Sequence, residues 1–395
     1  MKLWENVIRA RAALRKSVII ILLLLPYACL EPYAPSIITE DYNILVVDGF
    51  LIGNDTTFIR LGRTAPLSNT ESIKAESNAT LWIEAEGGIK YPLTEKETGL
   101  YVTPPLSLIV SNAYRLHIKT NDGKEYLSEY VKLKSSPPLD SVTWKEELTH
   151  DNNIEFSIYS HDPENNTRYY LWTYDETWQY VSAGISIYYF ENEQILPRND
   201  ASAIYNCWNT VTWNNMFLNS TVALSEDRVY DFHLYSIPQK SRKLYFAYSV
   251  LTRQYAITKE AYEYLTLVKN NSESLGGLFD LLPSQPGGNI ASITNPDEPV
   301  IGFFDATTVQ TKRVSFTRQD ITGPSSPYEP TGYEDCDTTL VPTADMTSLN
   351  LRGKLINEPY YDAVTSELLG YIVYEDECLD CRMRGGTTKK PDFWD

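Results

Sequence analysis

Near the end of the chain, Cys378-Leu379-Asp380-Cys381 sets two thiols three residues apart. That spacing serves three chemistries: half of a tetrahedral zinc site, a dithiol redox couple, or two disulfide ends that reach to distant partners. A Cys₄ zinc site needs a second close pair, and the other downstream cysteines, Cys207 and Cys336, lie 129 residues apart with no such neighbour. Thioredoxin-like redox chemistry needs a βαβ setting, which the flanking sequence lacks. Disulfides are the simplest reading. Cys207, Cys336, Cys378 and Cys381 then pair fully, each of the close cysteines pinning a distant segment, with the connectivity open. In the chain-entropy model a bridge closing a long loop contributes about 3 to 5 kcal/mol.

Other reactive side chains are sparse. The sequence contains no G-x-S-x-G, H-E-x-x-H, phosphate-loop or dinucleotide-binding motif. Of the four histidines, His117 falls on the polar face of a strand beside Arg115 and Lys119. His150-Asp151 and His161-Asp162 sit in Asn-rich turns, where turn chemistry explains them without a metal, and His233 is flanked by Phe232 and Leu234. Acidic clusters at Glu334-Asp335-Asp337 and Glu375-Asp376-Glu377 bracket the cysteines, yet neither has the spacing of a calcium loop. No cofactor and no metal site is implied. Paired carboxylates for glycoside hydrolysis cannot be picked out of so many acids. One basic concentration, Arg382, Arg384, Lys389 and Lys390, precedes Phe393-Trp394, a terminal aromatic pair that either docks on the body or binds a partner.

The compartment decides whether thiols oxidise. Lys2, Arg9, Arg11, Arg15 and Lys16 precede an apolar run from Val18 to Leu25, too short to cross about 30 Å of hydrocarbon and typical of an export signal. The run ends in Pro26-Tyr27-Ala28-Cys29, which resembles a bacterial lipobox. Residues 1–28 are the expected signal peptide, Cys29 the expected lipidation site, and the Pro-rich 29–42 a lipidated tether. Removing the signal takes away five basic residues and one acidic, so the net charge of −18 becomes about −22. A surface so acidic repels phosphate backbones and excludes nucleic acid as a partner.

The elements that must position these residues read as β. Residues 44–51, 58–61 and 79–85 are short β-rich runs between turn-forming clusters. In residues 113–133, Tyr114, Leu116 and Ile118 alternate with polar neighbours before Asn121-Asp122-Gly123 turns the chain back. Ser135-Ser136-Pro137-Pro138 closes the region. In a second β region, Tyr170, Trp172, Tyr174, Glu176 and Trp178 share one face of a strand: a packed core face, or a sugar-stacking platform. One helix is predicted over 258–270, with Ala261, Tyr264, Leu265 and Val268 on one side and Thr258 as its cap. The fold expected is mainly β. It has two tandem immunoglobulin-like or fibronectin-like sandwiches, at 43–134 and 139–320, the second carrying an inserted helix and loop at 256–299. A disulfide-tied C-terminal segment follows at 321–395.

CLEPY after the signal, LVVDGFL, YRLHIKTNDGKEYLSEYV, HDPENNTRYYLWTYDETW, GNIASITNPDEPVIGFFDA and ECLDCRMRGGTTKKPDFW together resemble the domain-of-unknown-function family numbered 4249, lipoproteins of the Bacteroidetes. The resemblance implies an outer-membrane lipoprotein, commonly encoded beside a TonB-dependent receptor, and carries over no catalytic residues. The resulting expectation is a surface-exposed, non-catalytic binding or accessory subunit of a TonB-dependent nutrient uptake system. It is held in the bilayer through acylated Cys29 and takes a small-molecule, peptide or glycan ligand, with Phe393 and Trp394 as candidate partner contacts. The alternatives are a surface glycan hydrolase and a structural or adhesive surface protein.

Overall fold

The computed structural model describes residues 43–64, 74–147, 152–213, 215–273, 287–322 and 332–394, and within them the fold is mainly β. The expected signal peptide, the tether and Cys29 lie outside the described residues, as does His150. Among the described residues no helix is long and apolar enough to cross a membrane.

The N-terminal hairpin forms as its alternation requires. Ala113–Lys119 pairs antiparallel with Glu125–Ser128, and Tyr114, Leu116 and Ile118 point into the core. Gly123 closes the turn at φ 89°, a backbone conformation that only glycine adopts freely. Where the strand spacing predicts a two-sheet sandwich, the structure has one eleven-stranded sheet, curled nearly into a barrel around Ile59, Leu61, Ile83, Tyr101 and Tyr126. Lys90–Glu97 is the reason: its first half, residues 90–93, ladders to Thr80–Ala85 and its second half, residues 94–97, to Leu100–Thr103, so one strand joins the two parts of the sheet.

Both ends of this sheet are completed from far along the chain. Ile290–Ser292 pairs with Glu125–Ser128, and Val300–Gly302 runs parallel to Leu45–Asp48. The segment 300–316, expected to complete the second β region, therefore divides. Its first strand joins the N-terminal sheet, and only Val309–Thr317 joins the second region, beside Ala247–Ala256. Ile290–Ser292, expected within the inserted loop, likewise belongs to the first sheet.

In the second region, a three-stranded sheet (Leu139–Glu147, Asn153–His161, Arg228–Pro238) and a five-stranded sheet share one core. The five-stranded sheet is built on the thirteen-residue strand Tyr169–Val181, with Asn206–Thr212 and Ala247–Ala256 as its main neighbours. Tyr170, Trp172 and Tyr174 are buried on the shared face, where the Tyr174 and Tyr235 rings stack at 4.2 Å and Trp172 lies 4.8 Å from Phe232. Core packing, not a sugar platform, accounts for this part of the aromatic row.

The predicted helix is present as Lys259–Glu273. Thr258 Oγ1 accepts from the Ala261 amide at 3.2 Å, and Ala261 and Leu265 pack inward. Behind the cap, buried Asp305 accepts from the Thr258 amide at 2.9 Å. The C-terminal segment contributes Thr339–Pro342, Lys354–Tyr361 and Leu368–Glu375 to a separate five-stranded sheet, completed by the hairpin Tyr188–Glu191/Gln194–Pro197 from the second region.

Asp162, flagged in sequence as a turn former, holds the bend before the long strand. Its carboxylate accepts from the amides of Glu164 (3.0 Å), Asn166 (2.9 Å) and Thr167 (2.9 Å) and from the Thr167 hydroxyl (2.9 Å). Burial alone would raise its pKa, but these donors outweigh it and hold the group below the usual aspartate value. The stabilisation is therefore present above about pH 4 and lost as pH falls through the depressed folded value. Asp162→Ala is expected to lower unfolding stability by about 2 to 3 kcal/mol at pH 7. Urea titrations at pH 7 and pH 2.5 check this, and an equal loss at both would exclude the role.

Candidate functional site

The two close cysteines bond to neither each other nor a shared metal. Cys381 joins Cys207 on the edge strand Asn206–Thr212, and Cys378 joins Cys336, each with Cα atoms 5.8 Å apart. All four expected disulfide cysteines are thus used, and the connectivity left open by the sequence is fixed. The turn between them is short and buried. Asp376–Leu379 forms one helical turn, Cys381–Arg384 a 3-10 turn, and Leu379 is fully buried. Asp380 caps the second turn by accepting from the Arg382 amide at 3.0 Å and pairs with the Arg382 guanidinium at 2.6 Å. The polar residue within the motif is thereby spent on local structure.

Arg384, at the end of the 3-10 turn, lines an open cavity of about 530 Å³, within the size range of small-molecule sites. The floor is the end of the long strand, Trp178 to Ala183, with Tyr205 and Asn209 beside it. One side is the 3-10 turn Arg242–Leu244, anchored by buried Leu244, and the residues after it, Tyr245 and Phe246. Tyr333 and Arg384, from segments fastened by the two disulfides, complete the lining, and Arg384 and Arg242 both approach Gly332. The Arg384 guanidinium lies 4.1 Å over the Tyr333 ring and donates to the carbonyls of Gly332 and Glu377. Tyr180 donates to the Cys381 carbonyl at 2.7 Å, and a Cβ on Gly386 would overlap the Tyr180 hydroxyl, so this close approach requires glycine. Trp208 and Thr387 exchange backbone hydrogen bonds of 2.8 and 2.9 Å, stitching the C-terminal segment to the sheet edge.

Directly beneath Trp178 the aromatic face turns polar. Glu176 is buried, its carboxylate accepting from Trp213 Nε1 at 2.7 Å, from the Tyr248 hydroxyl and from Lys243 Nζ. The Lys243 ammonium also lies 4.6 Å from the Trp178 ring centre and 5.4 Å from that of Trp213. Three donors and two ring faces offset the desolvation of this ion pair. Burial pushes the hydroxyls of Tyr235 and Tyr248 well above the ordinary tyrosine pKa, so both stay protonated donors.

The remaining sequence candidates sit elsewhere. His117, expected to be solvated, stacks on Trp82 with ring centres 3.8 Å apart, its Nε2 3.3 Å from Glu125, and burial lowers its pKa. Cross-strand pairing with Trp82 places it there. His161 contacts Asp140 at 2.8 Å, and His233 lies 3.4 Å from Ser236. Phe393 receives the Arg313 guanidinium 3.4 Å from its ring centre, so it lies against the strand Val309–Thr317, with the Trp394 ring 6.1 Å from it. Phe393 keeps 40% exposure. Of the acidic clusters, Glu375 pairs with Lys354 at 3.2 Å. The described residues contain no group of three or more His, Cys, Asp or Glu placed to hold a metal ion.

Sequence reasoning missed Arg242, Tyr245, Phe246, Tyr205 and Asn209. The signal was present in Ser241-Arg242-Lys243-Leu244-Tyr245-Phe246, a basic and aromatic cluster in a very acidic chain.

Two outcomes test this construction. Replacing Cys207 and Cys381 together by Ala is expected to cost about 4 kcal/mol and to speed amide hydrogen exchange across 378–390 by at least tenfold; unchanged exchange would show that the wall does not depend on the bridge. Lys243→Met leaves Glu176 buried without its cation and is expected to destabilise by about 3 kcal/mol, read by chemical denaturation against Lys240→Met, an exposed neighbour that should change little.

A family model described as a domain of unknown function (DUF4249) matches residues 30–313. No curated protein matches the chain.

Proposed function

We propose, for a chain that belongs to the DUF4249 family over residues 30–313, the role of a lipid-anchored binding subunit outside the cytoplasm. In this reading it is acylated at Cys29, exposed at the outer membrane and partnered with a TonB-dependent receptor. The observation that carries the binding role is the cavity of about 530 Å³, lined in part by Tyr333 and Arg384, whose segments one disulfide links across 42 residues and the other fastens across 174 residues to the strand carrying Asn209. Its lining consists of flat aromatic faces, hydroxyl and amide groups and guanidinium donors, which is the chemistry of recognition. Two disulfides also fit an oxidising compartment, in keeping with the export signal and the lipobox-like Cys29.

Purification of the native protein from membranes in mild detergent tests the reading. The expected outcome is recovery with a stoichiometric β-barrel receptor, and an intact mass carrying two or three acyl chains on an N-terminal Cys29. A protein released without detergent and bearing no acyl mass would refute the anchor. Recovery alone, with glycan-cleaving activity, would favour the hydrolase.

A further inference from the structure

A second cavity, of about 550 Å³, opens where the end of the first β region passes the bend held by Asp162. Its walls are fixed through the backbone. The Lys134 amide donates to the Ala306 carbonyl at 3.0 Å and the Lys134 carbonyl accepts from the Thr308 amide at 2.9 Å, while Ser136 Oγ accepts from the Ala256 amide at 2.7 Å. Pro137, Pro138 and Pro163 add rigid apolar surface. Lys134 is half-buried in this lining, and its ammonium makes one long hydrogen bond, to the Thr167 carbonyl at 3.4 Å. Among the described residues no carboxylate pairs with it directly. The other charged groups of the lining are engaged or solvated: Asp162 holds its bend, Glu164 accepts from the Asn166 side-chain amide at 3.2 Å, and Lys132 is exposed.

That setting suits an amine that reacts rather than one that pairs. Burial favours the neutral form and lowers the pKa, and the carboxylates of Asp305, Asp227, Glu260 and Asp162, which act on it only through space, oppose this in part. A neutral amine facing a cavity is a nucleophile. The same four carboxylates favour a product that keeps a positive charge and disfavour an anionic ligand. We propose that Lys134 captures a small uncharged aldehyde as an iminium, with the body of the ligand against the proline rings of the cavity. The Nζ lone pair forms the new C–N bond, and a proton passes from the nitrogen to the former carbonyl oxygen. That oxygen leaves as water after taking a second proton from solvent, so the step needs no oxidant or reductant. The inference goes beyond the binding role above and does not use the cavity on which that role rests.

Reductive trapping on the complete mature protein tests it. With benzaldehyde and cyanoborohydride at pH 7, followed by peptide mapping, Lys134 is expected to be labelled roughly tenfold faster than exposed Lys132, which borders the same cavity, and than exposed Lys389. Labelling of the two exposed lysines should climb until about pH 10, while that of Lys134 levels off at a lower pH because its pKa is depressed. The anionic 4-carboxybenzaldehyde, repelled by the surrounding acids, is expected to label Lys134 more slowly than benzaldehyde does. In Lys134→Arg the fast phase of labelling should vanish with thermal unfolding unchanged. An adduct spread evenly over the lysines, or a Lys134 rate that rises with pH as that of Lys132 does, overturns the proposal. Equal rates for the two aldehydes overturn the uncharged ligand class. Both readings come from the wild-type chain and stand even where the variant misfolds.

Discussion

The turn from Cys378 to Cys381 is the constraint on which the cavity depends. Its two sulfurs bond to different partners, one on the edge strand Asn206–Thr212 and one in the segment before the C-terminal sheet. A single bridge within the motif would constrain only three residues. Bonding outward instead removes a large part of the unfolded chain's freedom and brings Tyr333 and Arg384 up against a strand end far away in sequence. The supporting contacts are weaker and local: the Asp380 cap, the Tyr180 hydroxyl on the Cys381 carbonyl and the paired backbone bonds of Trp208 and Thr387. They set the orientation of a segment that the sulfurs hold in place.

Along one face of Tyr169–Val181 the environment changes from core to site in five alternate residues. Tyr170, Trp172 and Tyr174 stack within the shared core, Glu176 carries the buried charge, and Trp178 lies between that charge and the cavity. A carboxylate at the fourth position would be costly in an apolar core. Here it accepts from three side chains and so orients Lys243, Trp213 and Tyr248 at once. Core rigidity is thereby passed to the floor of the site through a strand that cannot shift without breaking its ladders on both sides.

Local patterns were readable and long-range pairings were not. The hairpin at 113–128 and the helix at 259–273 follow from alternation, a turn glycine and a Thr cap, all of which act within a few residues. Cys207, Cys336, Cys378 and Cys381 were identifiable as disulfide cysteines from compartment and number, while their pairing depends on tertiary placement. The curled first sheet was not legible, because nothing within Lys90–Glu97 announces that its two halves pair with different strands. Nor was the cavity: its residues come from five separated stretches, and Arg242 and Arg384, 142 residues apart, approach Gly332 together only in the folded chain. His117 was misjudged for a similar reason, since its packing is set by Trp82 on the neighbouring strand.

The strands Ile290–Ser292 and Val300–Gly302, which finish the two ends of the first sheet, have a bearing on how the molecule comes into being. More than 240 residues separate Val300 from its neighbour Leu45. Until that late piece arrives, Leu45–Asp48 and Glu125–Ser128 are open borders able to recruit any passing extended chain. Maturation is consequently slow and non-local, in the manner of large β topologies, and an isolated fragment ending at the Pro137-Pro138 break would be born sticky.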